Sequence, residues 1–179
     1  MHRGPVYLRL KRGEIPVIFD DGHEFAVDRA QVLAPGGEVV LIASGMMLAT
    51  ALAAADALRE HGIETGVLSV PVIKPLDVGA VLTACSGARA VITAENHSVI
   101  GGLGSAVAEA LAESGLAVPL RRVGIQDQFA ESGSRPYLFS RYGLSVGRIV
   151  EQAWTALGRS GPAPAVSEIT ADEGTYAPV

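Results

Sequence analysis

Four short apolar runs punctuate the chain: Val39-Val40-Leu41-Ile42-Ala43, then residues 65–70, 89–94 and 118–123. None alternates cleanly between apolar and polar residues. A strand with one wet face must alternate, so such runs belong to strands covered on both sides, the first and third most clearly. Between and after them lie stretches of helical spacing: Met47, Leu48, Ala51, Leu52, Ala55 and Leu58; Val78, Val81, Leu82 and Cys85; Leu103, Ala106, Val107, Ala110 and Leu111; Val146, Ile149, Val150, Ala153, Trp154 and Leu157. Each set lays one apolar stripe along a helix. Gly62 after Arg59-Glu60-His61 predicts a left-handed C-cap, and Pro75-Leu76-Asp77 predicts a stop followed by an N-cap. Strands alternating with helices predict an α/β fold: a three-layer αβα domain with a mostly parallel sheet of about five strands and right-handed crossovers.

Three regions fall outside that pattern. Residues 5–10, Pro5-Val6-Tyr7-Leu8-Arg9-Leu10, read as one more strand. Residues 14–36 read as a connector with a hairpin signal, Val17-Ile18-Phe19 and Phe25-Ala26-Val27 about an Asp21-Gly22 turn. Residues 159–179, rich in Pro, Gly, Ser and Ala, read as a disordered tail beyond a domain ending at 158.

At 179 residues the chain suits one domain, and its net charge of −5 argues against nucleic acid or an anionic membrane, which call for clustered Lys and Arg. The apolar runs are too short to span a bilayer, and Met1-His2-Arg3-Gly4-Pro5 opens no secretory signal, so a cytoplasmic location is expected. The single cysteine, Cys85, forms no intrachain disulfide or cysteine cluster, and its place on a helical stripe makes it core. His61 suits a helix C-terminus, and no metal site is visible.

In an open parallel sheet, ligands gather beyond the carboxyl ends of the strands. Here those ends carry Ser44-Gly45, Ser69-Val70-Pro71, Glu95-Asn96-His97 and residues 124–127. Glu95 and His97 resemble an acid/base pair, but no nucleophile or second acid adjoins them, which favours an interface or structural role over catalysis. Gly101-Gly102-Leu103-Gly104 resembles a dinucleotide fingerprint, yet Val107 stands where Gly or Ala is needed and the next strand ends Arg121-Arg122-Val123 without a ribose-binding acid. The glycines are read instead as a turn allowing close approach, with N–H groups able to hold an anion. Arg9 and Arg12 flank Lys11 and could grip a phosphate, although a solvated basic segment is the simpler reading. Residues 126–133 form a polar loop with one aromatic, Phe129.

Taken together, residues 40–45 and the helix after them, Val72-Ile73-Lys74-Pro75-Leu76-Asp77, residues 93–107 and Tyr142-Gly143-Leu144-Ser145 resemble the C-terminal domain of the transketolase family. The likeness is greatest to the small, C-terminal subunit of split bacterial transketolases and spans about residues 5–157. The same domain type occurs in deoxyxylulose-phosphate synthase and in β-subunits of 2-oxo-acid dehydrogenases.

The resemblance implies an enzyme moving two-carbon ketol units between sugar phosphates with thiamine diphosphate and a divalent metal. In that family a pyrophosphate domain holds the diphosphate and metal, a pyrimidine domain supplies the activating glutamate, and the third domain completes the subunit and contributes to the dimer. This chain matches the third, over residues 37–158, with residues 1–13 like the end of a pyrimidine-type domain. The Gly-Asp-Gly metal motif and an activating-glutamate segment are missing. The chain alone is therefore expected to be inactive, with no catalytic residue, cofactor or metal of its own. Cofactor and sugar phosphate would bind only in a homo- or hetero-oligomer with chains carrying the other two domains. The resemblance also matches Arg12 to a family arginine near the sugar phosphate, and sets Glu95, Asn96, His97, Gly101, Gly102 and Gly104 at a domain or subunit junction. Ser134-Arg135-Pro136-Tyr137 departs from a usually more acidic helix start. The competing reading is a non-catalytic docking module, as in a 2-oxo-acid dehydrogenase-like β-subunit.

Overall fold

The computed structural model describes residues 3–11 and 16–168. Five strands form one sheet: β1 (Gln31–Ala34), β2 (Val39–Ala43), β3 (Thr65–Ser69), β4 (Ala90–Ser98) and β5 (Leu120–Ile125). Their order is β1-β3-β2-β4-β5, with β2 to β5 parallel and β1 antiparallel against β3. Helices α1 (Met47–Glu60) and α5 (Val146–Ala156) pack together on one face, and α2 (Val78–Cys85) and α3 (Leu103–Glu113) on the other; α4 (Arg135–Arg141) precedes α5. The expected α/β architecture is what forms.

Both faces are dry, which accounts for the missing alternation. Leu41, Ala43, Val67 and Ile92 point into the α1/α5 core, while Val40, Ile42, Leu68 and Val91 point into the α2/α3 core. Every residue of β2 and β3 is buried. The predicted helix ends also form. Gly62 takes φ +73° while the Ile63 amide returns to Leu58 O, and Asp77 accepts the Ala80 amide at the start of α2. The second oxygen of Asp77 accepts the Ala30 amide, tying α2 to the approach of β1.

Residues 5–10, expected as a strand belonging to a preceding domain, take no part in this sheet, and Val6, Tyr7, Leu8 and Leu10 are exposed. Three expectations need correction. The hairpin does not form among the described residues: a turn at Asp20–His23 is present, with Phe19 stacked on His23, but Val17 makes an isolated bridge and no paired strands flank the turn. The connector contains β1, so the sheet begins at Gln31 rather than after residue 36. Finally, residues 159–168 lie against the domain instead of leaving it, with Ala163 and Val166 packed on the α1/α5 core; residues 169–179 lie outside the described residues.

Cys85 is wholly buried on the inner side of α2, and burial pushes its thiol up to about 11. Because the fold disfavours the thiolate, this group's contribution to stability is intact below about pH 8.5, where an unfolded thiol begins to ionise, and is lost as the pH rises toward 11. Titration with a disulfide reagent at pH 8 should find no reactive thiol in the folded protein and one after denaturation. Rapid reaction of the native chain would contradict this packing.

Candidate docking edge at the strand ends

The strand order reverses direction at β2, which sends α1 toward β3 on one side and lies against β4 on the other. The carboxyl ends of β2 and β4 therefore flank the crevice where this class of sheet places its sites. Their pairing stops at Ala43 and Ala94, and the Ser44 amide closes it by donating to Ala94 O at 3.3 Å. β4 continues without β2, its register with β5 slips between Ala94 and Ser98, and the Val99 amide regains Ile125 O at 2.9 Å.

The two residues that looked like an acid/base pair differ in burial. Glu95 points inward and is only 2% exposed, whereas the His97 ring is exposed. Glu95 Oε2 accepts the Leu103 amide at 2.8 Å and Oε1 accepts the Gly104 amide at 2.8 Å. Both donors lie in the first turn of α3, where no intrahelical acceptor exists and the helix dipole favours a negative charge. Two charge-assisted bonds of roughly 1.5–3 kcal/mol each offset the desolvation of this buried carboxylate. The anion expected at these glycines is the chain's own Glu95.

The glycines leave room for it. A Cβ on Gly102 would overlap Glu95 Oε2 and stand 2.8 Å from its Cδ and 3.0 Å from His97 Cδ2. One on Gly104 would meet Thr93 Oγ1 at 2.8 Å and Arg122 Cδ at 2.7 Å. Gly101, at φ +74°, makes the turn itself. Arg122 and Ser105 escaped the sequence reading. Arg122 Nη1 donates to Val99 O at 2.7 Å, Ser105 Oγ donates to the same carbonyl at 3.2 Å, and the Gly101 amide donates to Ser105 Oγ at 2.9 Å. Arg122 was visible only as part of a basic pair in a strand.

Around this closed knot the surface is presented outward. Asn96 is half-buried, and its carbonyl accepts Arg9 Nη2 at 2.9 Å, so the extended segment 3–11 passes the end of β4. His97, Ile100 and, in the loop after β5, Phe129 are exposed. That loop is held from behind: the Glu131 amide donates to Tyr142 Oη at 2.8 Å, and Arg141 Nε lies 3.2 Å from Glu131 Oε1. A hydrogen bond to the Glu131 carboxylate, with lesser help from burial and that carboxylate's charge, pushes the Tyr137 phenol above its ordinary value. Arg12, the phosphate candidate, lies outside the described residues.

Among the described residues there is no group of three His, Cys, Asp or Glu side chains able to hold a metal, and the α3 amides that could cradle a phosphate already serve Glu95. An apolar groove of about 750 Å³ lies at the opposite, amino-terminal ends of the strands, lined by residues such as Val32, Val40, Leu68 and Ala84, and brings no titratable group. No described helix is long and apolar enough to cross a membrane.

A fold of this topology, with one antiparallel edge strand on an otherwise parallel five-stranded sheet covered by helices on both faces, defines a three-layer α/β domain. The model of the family described as "Transketolase, C-terminal domain" matches residues 28–149, and the chain belongs to that family. It is 48% identical over 152 residues to a 6-deoxy-6-sulfo-D-fructose transketolase subunit of a Clostridium species, covering 85% of this chain and 47% of that protein. It is 40% identical over 151 residues to an apulose-4-phosphate transketolase subunit of Actinobacillus succinogenes, covering 84% and 49%. Among solved structures, a split-gene transketolase described as an inactive beta4 tetramer superposes with a TM-score of 0.76 at 40% identity, covering 80% of this chain and 47% of that one. The chain spans about half the length of these relatives.

If Gly102 must be bare for the Glu95 bond, Gly102→Ala should cost roughly 2–4 kcal/mol of stability in denaturant unfolding, through overlap and a displaced buried carboxylate. An unchanged midpoint would contradict the geometry.

Proposed function

We propose that this chain is the C-terminal part of a split transketolase, completing an enzyme whose thiamine diphosphate and divalent metal are held by pyrophosphate and pyrimidine domains on partner chains. The observation that carries the reading is Glu95, the most reactive-looking group at the switch point. Its carboxylate is spent internally on α3, leaving a surface suited to packing rather than proton transfer. Relatives described as subunits of transketolases support the same reading and do not favour the docking module of a 2-oxo-acid dehydrogenase-like complex.

In this reading His97, Asn96, Ile100 and Phe129 face the partner. The segment 3–11 pairs with a sheet supplied by it: Val6, Leu8 and Leu10 fall on one side of an extended backbone, as a strand with one apolar face requires. Arg12, just beyond that segment, reaches the sugar phosphate. Its charge would orient a reacting carbon some distance away, so its contribution is positioning. A cytoplasmic setting suits such an enzyme.

The test is reconstitution. Mixed with a chain carrying the two other domains, thiamine diphosphate and magnesium, this polypeptide should support ketol transfer between sugar phosphates, and neither chain should do so alone. Absence of transfer on mixing would sink the proposal. In the reconstituted enzyme, His97→Ala should weaken association about tenfold, as a moderately important interface residue does, while kcat at saturating partner stays near the wild-type value. Normal assembly with abolished turnover would make His97 catalytic instead.

A further inference from the structure

Residues 159–168 lie beyond the span 28–149 that the family model matches and have no regular secondary structure, yet their contacts are specific. Gly158, at φ +67°, reverses the chain at the end of α5. Arg159 then stacks over Trp154, 5.8 Å from the ring centroid, with Nη2 3.6 Å from Glu38 Oε2. Ala163 and Val166 pack on the α1/α5 core. Glu168 finally reaches the opposite end of α5, where Oε2 accepts the Val146 amide at 2.8 Å and Oε1 accepts the Gly147 amide at 2.9 Å.

The strap thus returns along the whole of α5, a path of about 16 Å that ten residues span easily. Its seat is shaped for it: a Cβ on Gly147 would stand 3.1 Å from Glu168 Oε1 and 3.7 Å from Val166 Cγ2. Ser145 Oγ accepts the Arg148 amide, so Glu168 and Ser145 together satisfy three first-turn donors of α5.

What precedes this turn links it to the docking edge. The Leu144 amide donates to Phe139 O at 2.8 Å, and Tyr142 Oη receives the Glu131 amide, which anchors the loop bearing Phe129. We propose that residues 159–168 are a clasp, and that Glu168 is a positioning residue which, through the first turn of α5, holds the loop of residues 126–133 in the conformation presented to a partner. Only the identity of that partner rests on the transketolase reading.

Hydrogen exchange on the full chain tests it. In Glu168→Ala the Val146 and Gly147 amides should exchange about tenfold faster, the loss expected of a helix cap. The Glu131 amide should accelerate with them while amides at the centre of α3 and in β4 do not. Glu168→Gln, which keeps the shape and one acceptor oxygen, should fall between. Wild-type exchange at Val146 and Gly147 in Glu168→Ala would show that no clasp forms. Acceleration there with an unchanged Glu131 amide would remove the link to the loop. These rates are read without a partner, so failed reconstitution leaves them standing.

Discussion

The carboxyl edge of the domain depends on one carboxylate held by two backbone amides. Glu95 joins the end of β4 to the start of α3, and the burial of a charge there is tolerated because both oxygens meet unpaired donors at the positive end of a helix. From that bond the neighbouring residue choices follow. Position 102 must be bare to admit the carboxylate, position 104 must be bare to let α3 lie on Thr93 and Arg122, and Gly101 must turn the chain between strand and helix. A larger or shorter side chain at 95 would leave those amides buried without acceptors, and a neutral amide would serve only one of them.

The same device recurs on the other face. Glu168 meets the first turn of α5 as Glu95 meets that of α3, in each case beside a glycine that makes room. The difference lies in exposure and chain distance. Glu95 reaches eight and nine residues ahead from within a sheet, whereas Glu168 returns over some twenty residues from a strap with little burial of its own. The first lies within the sheet, and the second lies on its surface layer. The edge fixed by these internal hydrogen bonds is rimmed by the exposed His97, Ile100 and Phe129.

Much of the fold was legible because β2, β3 and the start of β4 are covered on both faces, a burial pattern that writes itself into Val39-Val40-Leu41-Ile42-Ala43 and its counterparts. The caps at Gly62 and Asp77 were legible for local reasons. β1 was not, since four residues on an edge carry little apolar signal and their antiparallel pairing with β3 is set by distant contacts. Nor was α4, which buries none of its residues and begins beside Pro136. The strap was misread because its composition is that of a free tail, while its attachment needs only Ala163, Val166 and Glu168 in the right places. At the site, Glu95 and the glycines stood out in the sequence as a group. The pairing of Glu95 with α3 rather than His97 is a tertiary contact that no spacing rule foretells.

The central claim is that Glu95 is a structural anion holding α3, and amide exchange in Glu95→Gln reads it most directly. The substitution keeps the side chain's size but replaces one acceptor oxygen with a donor that faces a backbone N–H. The account predicts that one or both of the Leu103 and Gly104 amides exchange at least about tenfold faster while amides in β2 keep their protection. Wild-type exchange at both amides would contradict it.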